Sequence, residues 1–136
     1  MTPRPGPYHL QLLPALLLAL LLAIPVSARP AISLEQADGS TLELKNAATR
    51  VITLAPNLAE MMFQAGAGSR LLATVEYSNF PEEAARLPRI GDAFRFDIER
   101  IMALQPDLVI GWDSGNPRAA LDRLEKLGLK AVSYTH

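Results

Sequence analysis

Three short runs of apolar, largely β-branched residues, each set apart by a helix-forming stretch, limit the folds open to this 136-residue chain more than any other feature. They are Arg50-Val51-Ile52-Thr53-Leu54, Leu71–Val75 and Leu108-Val109-Ile110, and Lys130-Ala131-Val132-Ser133 begins a fourth. Continuous apolar runs of this length suit a parallel sheet covered on both faces. Pro56 ends the first run. Asn57 then stands three residues before Glu60, an Asn form of the capping box, so a helix is predicted to start there. Ala59, Met61, Met62, Phe63 and Ala65 make that helix apolar, and Gly66 and Gly68 stop it. Pro81–Leu87 reads as a short helical turn with its proline at the first position. Asp97 is the expected cap of a helix Ile98–Leu104 in which Ile98, Ile101 and Met102 share a face. Pro117 opens another helix, with an apolar stripe of Ala120, Leu121, Leu124 and Leu127, and Gly128 caps it. The order β-α-β-loop-α-β-α-β predicts an α/β fold with a mostly parallel sheet. Ahead of it, Ala31–Leu34 and Thr41–Leu44 flank Asp38-Gly39-Ser40, a β-hairpin pattern, which makes residues 29–49 a small edge feature.

The first 28 residues are of a different kind. Of the 27 charged side chains only Arg4 precedes residue 29. The uninterrupted apolar stretch Ala15–Ile24 is far shorter than the ~20 residues a membrane-spanning helix needs. A basic start, a short apolar core and the small-residue site Val26-Ser27-Ala28 describe a secretory signal peptide, cleaved after Ala28. The remainder is then one domain of residues 29–136, exported and soluble, most simply in a Gram-negative periplasm. Without cysteine there is no lipid anchor on an N-terminal Cys, no disulfide and no thiolate metal site. Twelve basic against fourteen acidic residues after position 28 offer no strong field for nucleic acid.

Catalytic groups are scarce. The two histidines, His9 and His136, lie in the leader and at the chain end, so a His-based triad or metal site is not expected. Glu82 and Glu83 are adjacent on a helix, point different ways, and read as helix-terminus stabilisation. Gly66-Ala67-Gly68 follows a helix rather than a strand, the reverse of a phosphate cradle. The expectation is a protein without catalytic residues, metal ligands or a cofactor of its own.

Ligands of open α/β sheets bind beyond the carboxyl ends of the strands. That rule selects Ala55–Asn57, Glu76–Phe80 and Gly111–Asn116. Of the eight aromatic residues, Tyr77, Phe80, Phe94, Phe96 and Trp112 fall in or beside these loops or the loop Asp92–Phe96. Aromatics gathered at such an edge suit a broad, partly apolar ligand. The alternative is that Phe80, Phe94 and Phe96 turn inward and anchor loops. Tyr77 and Trp112, each just past a strand end, are the stronger contact candidates, with Asn57 a further one at the same edge.

The stretch Arg50–Pro56 with Glu60 and Ala65-Gly66, and above all Ile98-Glu99-Arg100-Ile101-Met102-Ala103-Leu104-Gln105-Pro106-Asp107-Leu108-Val109-Ile110, resembles periplasmic binding proteins for iron–siderophores, haem and cobalamin. Tyr77-Ser78-Asn79-Phe80-Pro81, Gly91-Asp92-Ala93-Phe94 and Trp112 with Gly115-Asn116-Pro117 are most similar to the cobalamin-binding subgroup. The resemblance implies a Rossmann-like three-layer lobe and a monomeric binding component of an ABC importer rather than an enzyme. It implies that Tyr77 and Trp112 contact cobalamin and that Glu99 docks onto the membrane permease. It also implies a linking helix and a second lobe, which this sequence does not contain, and hence half of a cleft. Ala59 stands where the family often has a hydroxyl residue. A siderophore or haem is the alternative ligand, and Arg89 and Arg95 flank the loop where an anionic chelate would lie.

Overall fold

The computed structural model describes residues 31–36 and 38–135. The leader at 1–28, with His9, and the last residue, His136, lie outside the described residues. Strands β1 (Ile32–Glu35) and β2 (Thr41–Leu44) form the antiparallel hairpin, with Ile32 opposite Leu44 and Glu35 opposite Thr41. Then follow β3 (Val51–Thr53), α1 (Pro56–Gln64), β4 (Leu71–Ala73), α2 (Glu82–Ala85), α3 (Ile98–Leu104), β5 (Leu108–Trp112), α4 (Arg118–Lys126) and β6 (Ala131–Tyr134). The last four strands make one parallel sheet in the order β4-β3-β5-β6. β3 therefore sends its chain to one side for β4 and to the other for β5, which puts the topological switch point at the carboxyl ends of β3 and β5.

Side chains alternate across these strands into two apolar layers. On one face Ile52, Val109 and Ala131 meet Ile101 of α3 and Leu121 and Leu124 of α4. On the other, Val51 and Leu108 meet Ala59 of α1, Ala84 of α2 and Leu44 of β2. The result is three layers. The hairpin is not an edge feature: Leu34 and Leu42 pack with Leu44 against the sheet face, because the apolar side of a two-stranded ribbon has no other place to be buried.

Several helix details differ from the sequence reading. Pro56 occupies the first position of α1, so the cap is Ala55, without a side-chain bond, and Asn57 lies inside the helix. Pro81 and Pro117 are themselves the residues that precede α2 and α4. Asp97 does cap α3, accepting from the Arg100 N–H at 2.9 Å. Met102 is 37% exposed and Leu127 46% exposed. Leu104 takes the place expected of Met102, and Leu129 follows the turn at Gly128 (φ 86°) into the core that Leu127 misses.

The stretch Gln105–Asp107 acts as a clasp at the amino end of the sheet. Asp107 accepts from the Thr49 N–H (2.8 Å), the Thr49 hydroxyl (3.1 Å) and the Arg50 N–H (3.0 Å). In return Arg50 donates to the Leu104 (2.6 Å) and Gln105 (3.0 Å) carbonyls, which the end of α3 leaves without intrahelical partners. Partial burial alone would raise the Asp107 pKa, but the Thr49 and Arg50 donors outweigh it and hold the carboxyl below its ordinary value. A folded pKa below the unfolded one adds stability that is complete above the unfolded value of ~3.9 and is lost as pH falls through the folded value. The urea midpoint of the native chain is therefore expected to fall more steeply below pH ~4 than that of Asp107→Asn. Parallel curves for the two proteins would contradict this account.

Candidate functional site

Beyond the carboxyl end of β4 the chain turns at Val75–Ser78, closed by the Ser78 N–H on the Val75 carbonyl at 3.4 Å. Tyr77, at the third position, has φ 67° while Glu76 does not have positive φ; this is the type II place that favours glycine. A tyrosine there costs on the order of 1 kcal/mol. The residue is 79% exposed. The turn is fastened on both sides. The Glu76 N–H donates to the Gly91 carbonyl at 2.8 Å. Ser78 is buried, its hydroxyl 2.9 Å from that of Thr74, which accepts from the Thr53 hydroxyl at 2.9 Å. Arg89 lies half-buried beneath, its guanidinium donating to the carbonyls of Ala84 (2.9 Å) and Ser78 (2.9 Å). Arg89 thus ties the end of α2 to the tyrosine turn.

Because αL geometry suits glycine and strains tyrosine, Tyr77→Gly is expected to raise stability by up to about 1 kcal/mol. Chemical denaturation reads this directly, and a loss of stability would show that the ring contributes packing.

The neighbouring loop is Gly91–Phe96. Asp92 Oδ1 accepts from the Phe94 N–H (2.8 Å) and the Arg95 N–H (2.7 Å), and these bonds hold its pKa below the ordinary value. Gly91 has φ 115°, and a Cβ there would run into the Arg95 carbonyl, so the loop can close only on glycine. Closure leaves Phe94 69% exposed, while Phe96 turns inward against the core. Phe96 thus anchors its loop against the core, the inward alternative of the two readings. Phe80 is exposed and does not turn inward.

Trp112 is the last residue of β5, half-buried, its ring over the backbone of Gly115, where a Cβ would collide with it. Asn116, which the sequence reading placed in the edge loop Gly111–Asn116 without a role for its side chain, joins the loops at the switch point. Its side-chain oxygen accepts from the Trp112 N–H at 2.6 Å, and its amide donates to the carbonyls of Leu54 (2.8 Å) and Ala93 (2.7 Å). The buried Asn116 thereby links the segments after β3 and β5 to the Phe94 loop. Asn57 is half-buried in the first turn of α1. Glu99 is exposed in the first turn of α3. Among the described residues, no group of three or more His, Cys, Asp or Glu could hold a metal ion, and no helix is long and apolar enough to cross a membrane.

Four loops thus meet at one sheet edge and present Tyr77, Phe80 and Phe94 to solvent. Residues 51–136 match the periplasmic binding protein family. The chain belongs to that family. Among relatives, the vitamin B12-binding protein of Vibrio campbellii is 45% identical over 82 residues, 60% of this chain and 30% of the relative. That of Yersinia pestis is 43% identical over 83 residues, 61% of this chain and 30% of the relative. Among solved structures, the periplasmic vitamin B12 binding protein BtuF of Vibrio cholerae superposes with TM-score 0.62 at 40% identity, covering 65% of this chain and 34% of that one. A periplasmic heme binding protein from Pseudomonas aeruginosa gives 0.59 at 27% identity, covering 63% and 31%. This member of the periplasmic binding protein family therefore spans about a third of the length of the relatives it matches.

Proposed function

We propose that this chain is one lobe of an exported substrate-binding protein that takes up cobalamin and hands it to an ABC permease, binding it without bond chemistry and without a metal or cofactor of its own. The carrying observation is Tyr77, exposed in a strained turn at the carboxyl edge of the parallel sheet, with Phe94 exposed on the loop bonded to it. Tyrosine offers a flat apolar face with a polar tip, which suits a corrin rim. The likeness to vitamin B12-binding relatives supports the same ligand. Inward use of Arg89 leaves Arg95 as the remaining cation of the pair that would face an anionic siderophore. In this reading residues 1–28 direct export to the periplasm, the lobe acts as a monomer, Trp112 lines the cleft wall, Asn57 lies at its margin, and Glu99 docks onto the permease.

Trp112 is the only tryptophan, so its emission reports on this edge. The chain should be titrated with cyanocobalamin, haemin and a ferric siderophore, following fluorescence and heat. Cyanocobalamin alone is expected to bind, weakly because one lobe contacts one side of the ligand, and about tenfold more weakly after Tyr77→Ala. Preference for haemin or the siderophore, or no heat with any of the three, would overturn the assignment. Glu99→Ala is expected to leave cyanocobalamin affinity unchanged and to reduce association with the permease.

A further inference from the structure

Tyr77 is the most exposed aromatic residue among the described residues, and the fastening on its carboxyl side runs through Ser78. The local turn consists of the Ser78 N–H on Val75 and the Asn79 N–H on the Tyr77 carbonyl at 2.9 Å. Those two bonds stay inside residues 75–79 and carry no link to the sheet. Ser78 supplies that link twice. Its buried hydroxyl meets Thr74 in the continuation of β4 and, through it, Thr53 in the central strand β3. Its carbonyl accepts from Arg89, which also grips the Ala84, Ala85 and Leu87 carbonyls at the end of α2. A non-glycine residue relaxes out of a left-handed conformation when it can, so the surroundings must enforce φ 67° at Tyr77.

We infer that Ser78 is a positioning residue for ligand recognition: by anchoring the turn to Thr74 and Arg89 it keeps Tyr77 in the backbone conformation that presents its ring at the sheet edge. This rests on the cobalamin-binding reading given above. An interaction group ordered before the ligand arrives spares the ligand the cost of ordering it. The hydroxyl therefore acts on affinity through Tyr77 and not through contact of its own, since Ser78 is 1% exposed.

A double-mutant cycle tests this on the full chain with cyanocobalamin as the probe. Ser78→Ala removes one neutral hydrogen bond and no volume that the core needs, so the fold is retained, which near-ultraviolet circular dichroism confirms. It is expected to weaken binding about fivefold in the native background and to have no effect in a Tyr77→Ala background. The same weakening in both backgrounds, or none in either, would overturn the proposal. Amide exchange at Glu76 and Asn79, whose N–H groups are bonded on either side of Tyr77, gives a second reading without ligand. Ser78→Ala is expected to speed both about tenfold or more relative to the β3 amides, and unchanged exchange would count decisively against Ser78. If the unmodified chain binds no cyanocobalamin, the functional reading fails, whereas the exchange measurement still decides whether Ser78 holds Tyr77.

Discussion

Asn116→Ala is expected to remove about 3 kcal/mol of stability, lowering the melting temperature by about 10–20 °C. The amide makes three bonds in a buried place, and no single replacement partner can reach all of their ends. With alanine, the Trp112 N–H loses its acceptor, and the Leu54 and Ala93 carbonyls lose a donor. A net worth of ~1 kcal/mol per bond, with added cost wherever a buried group stays unsatisfied, gives the estimate. Asn116→Asp is expected to be at least as damaging at neutral pH. A carboxylate can still accept from Trp112 but would hold an oxygen against two carbonyl oxygens. Its carboxyl pKa would be raised in the folded state, so this variant should gain relative stability as pH falls. Thermal unfolding of both variants followed by circular dichroism checks this. A loss under about 1 kcal/mol for Asn116→Ala would mean that the loops hold together without the amide.

The second large effect concerns α3. Ile101→Ala is expected to cost about 3–4 kcal/mol, whereas Met102→Ala, one residue on, should cost less than about 1 kcal/mol. Ile101 is fully buried among Ile52, Val109 and Leu124, and its truncation leaves a cavity between helix and sheet. Met102 is 37% exposed and its loss opens none. Equal costs, measured from urea midpoints with unchanged slopes, would mean that α3 is rotated about its axis relative to the packing described here.

That contrast also shows where the sequence is and is not informative. Apolar runs at 51–54, 71–75 and 108–110 announce the parallel sheet because strands buried on both faces admit little else. Helix limits were legible wherever a side chain caps, as at Asp97, and misplaced wherever proline takes the first turn, as at Pro56 and Asn57. Periodicity could not choose between Met102 and Leu104, since a seven-residue helix is too short to define its inward face. At the site, Tyr77 and Phe94 follow from loop position, but Phe96 differs from Phe94 only through the closure of its loop. Asn116 lay within the selected edge Gly111–Asn116, but its role as a three-way link depends on loops that only the fold brings together. Thr53 and Thr74 interrupt apolar runs, and that interruption was the available sign of the hydroxyl chain ending at Ser78.

The Asp107 clasp and the Asn116 seam fasten opposite ends of the same pair of strands, and both join residues that are 54 to 62 positions apart in the chain. Contacts so distant form late, because the closure of a long loop must precede any return from it. The Tyr77 turn, by contrast, needs only residues from 53 to 91. As the polypeptide emerges during synthesis, the tyrosine side of the edge can therefore assemble first, and the tryptophan side must wait for β5 and the start of α4. Until then β3 has an open flank, and this interval is when the chain has most need of protection from other unfolded strands.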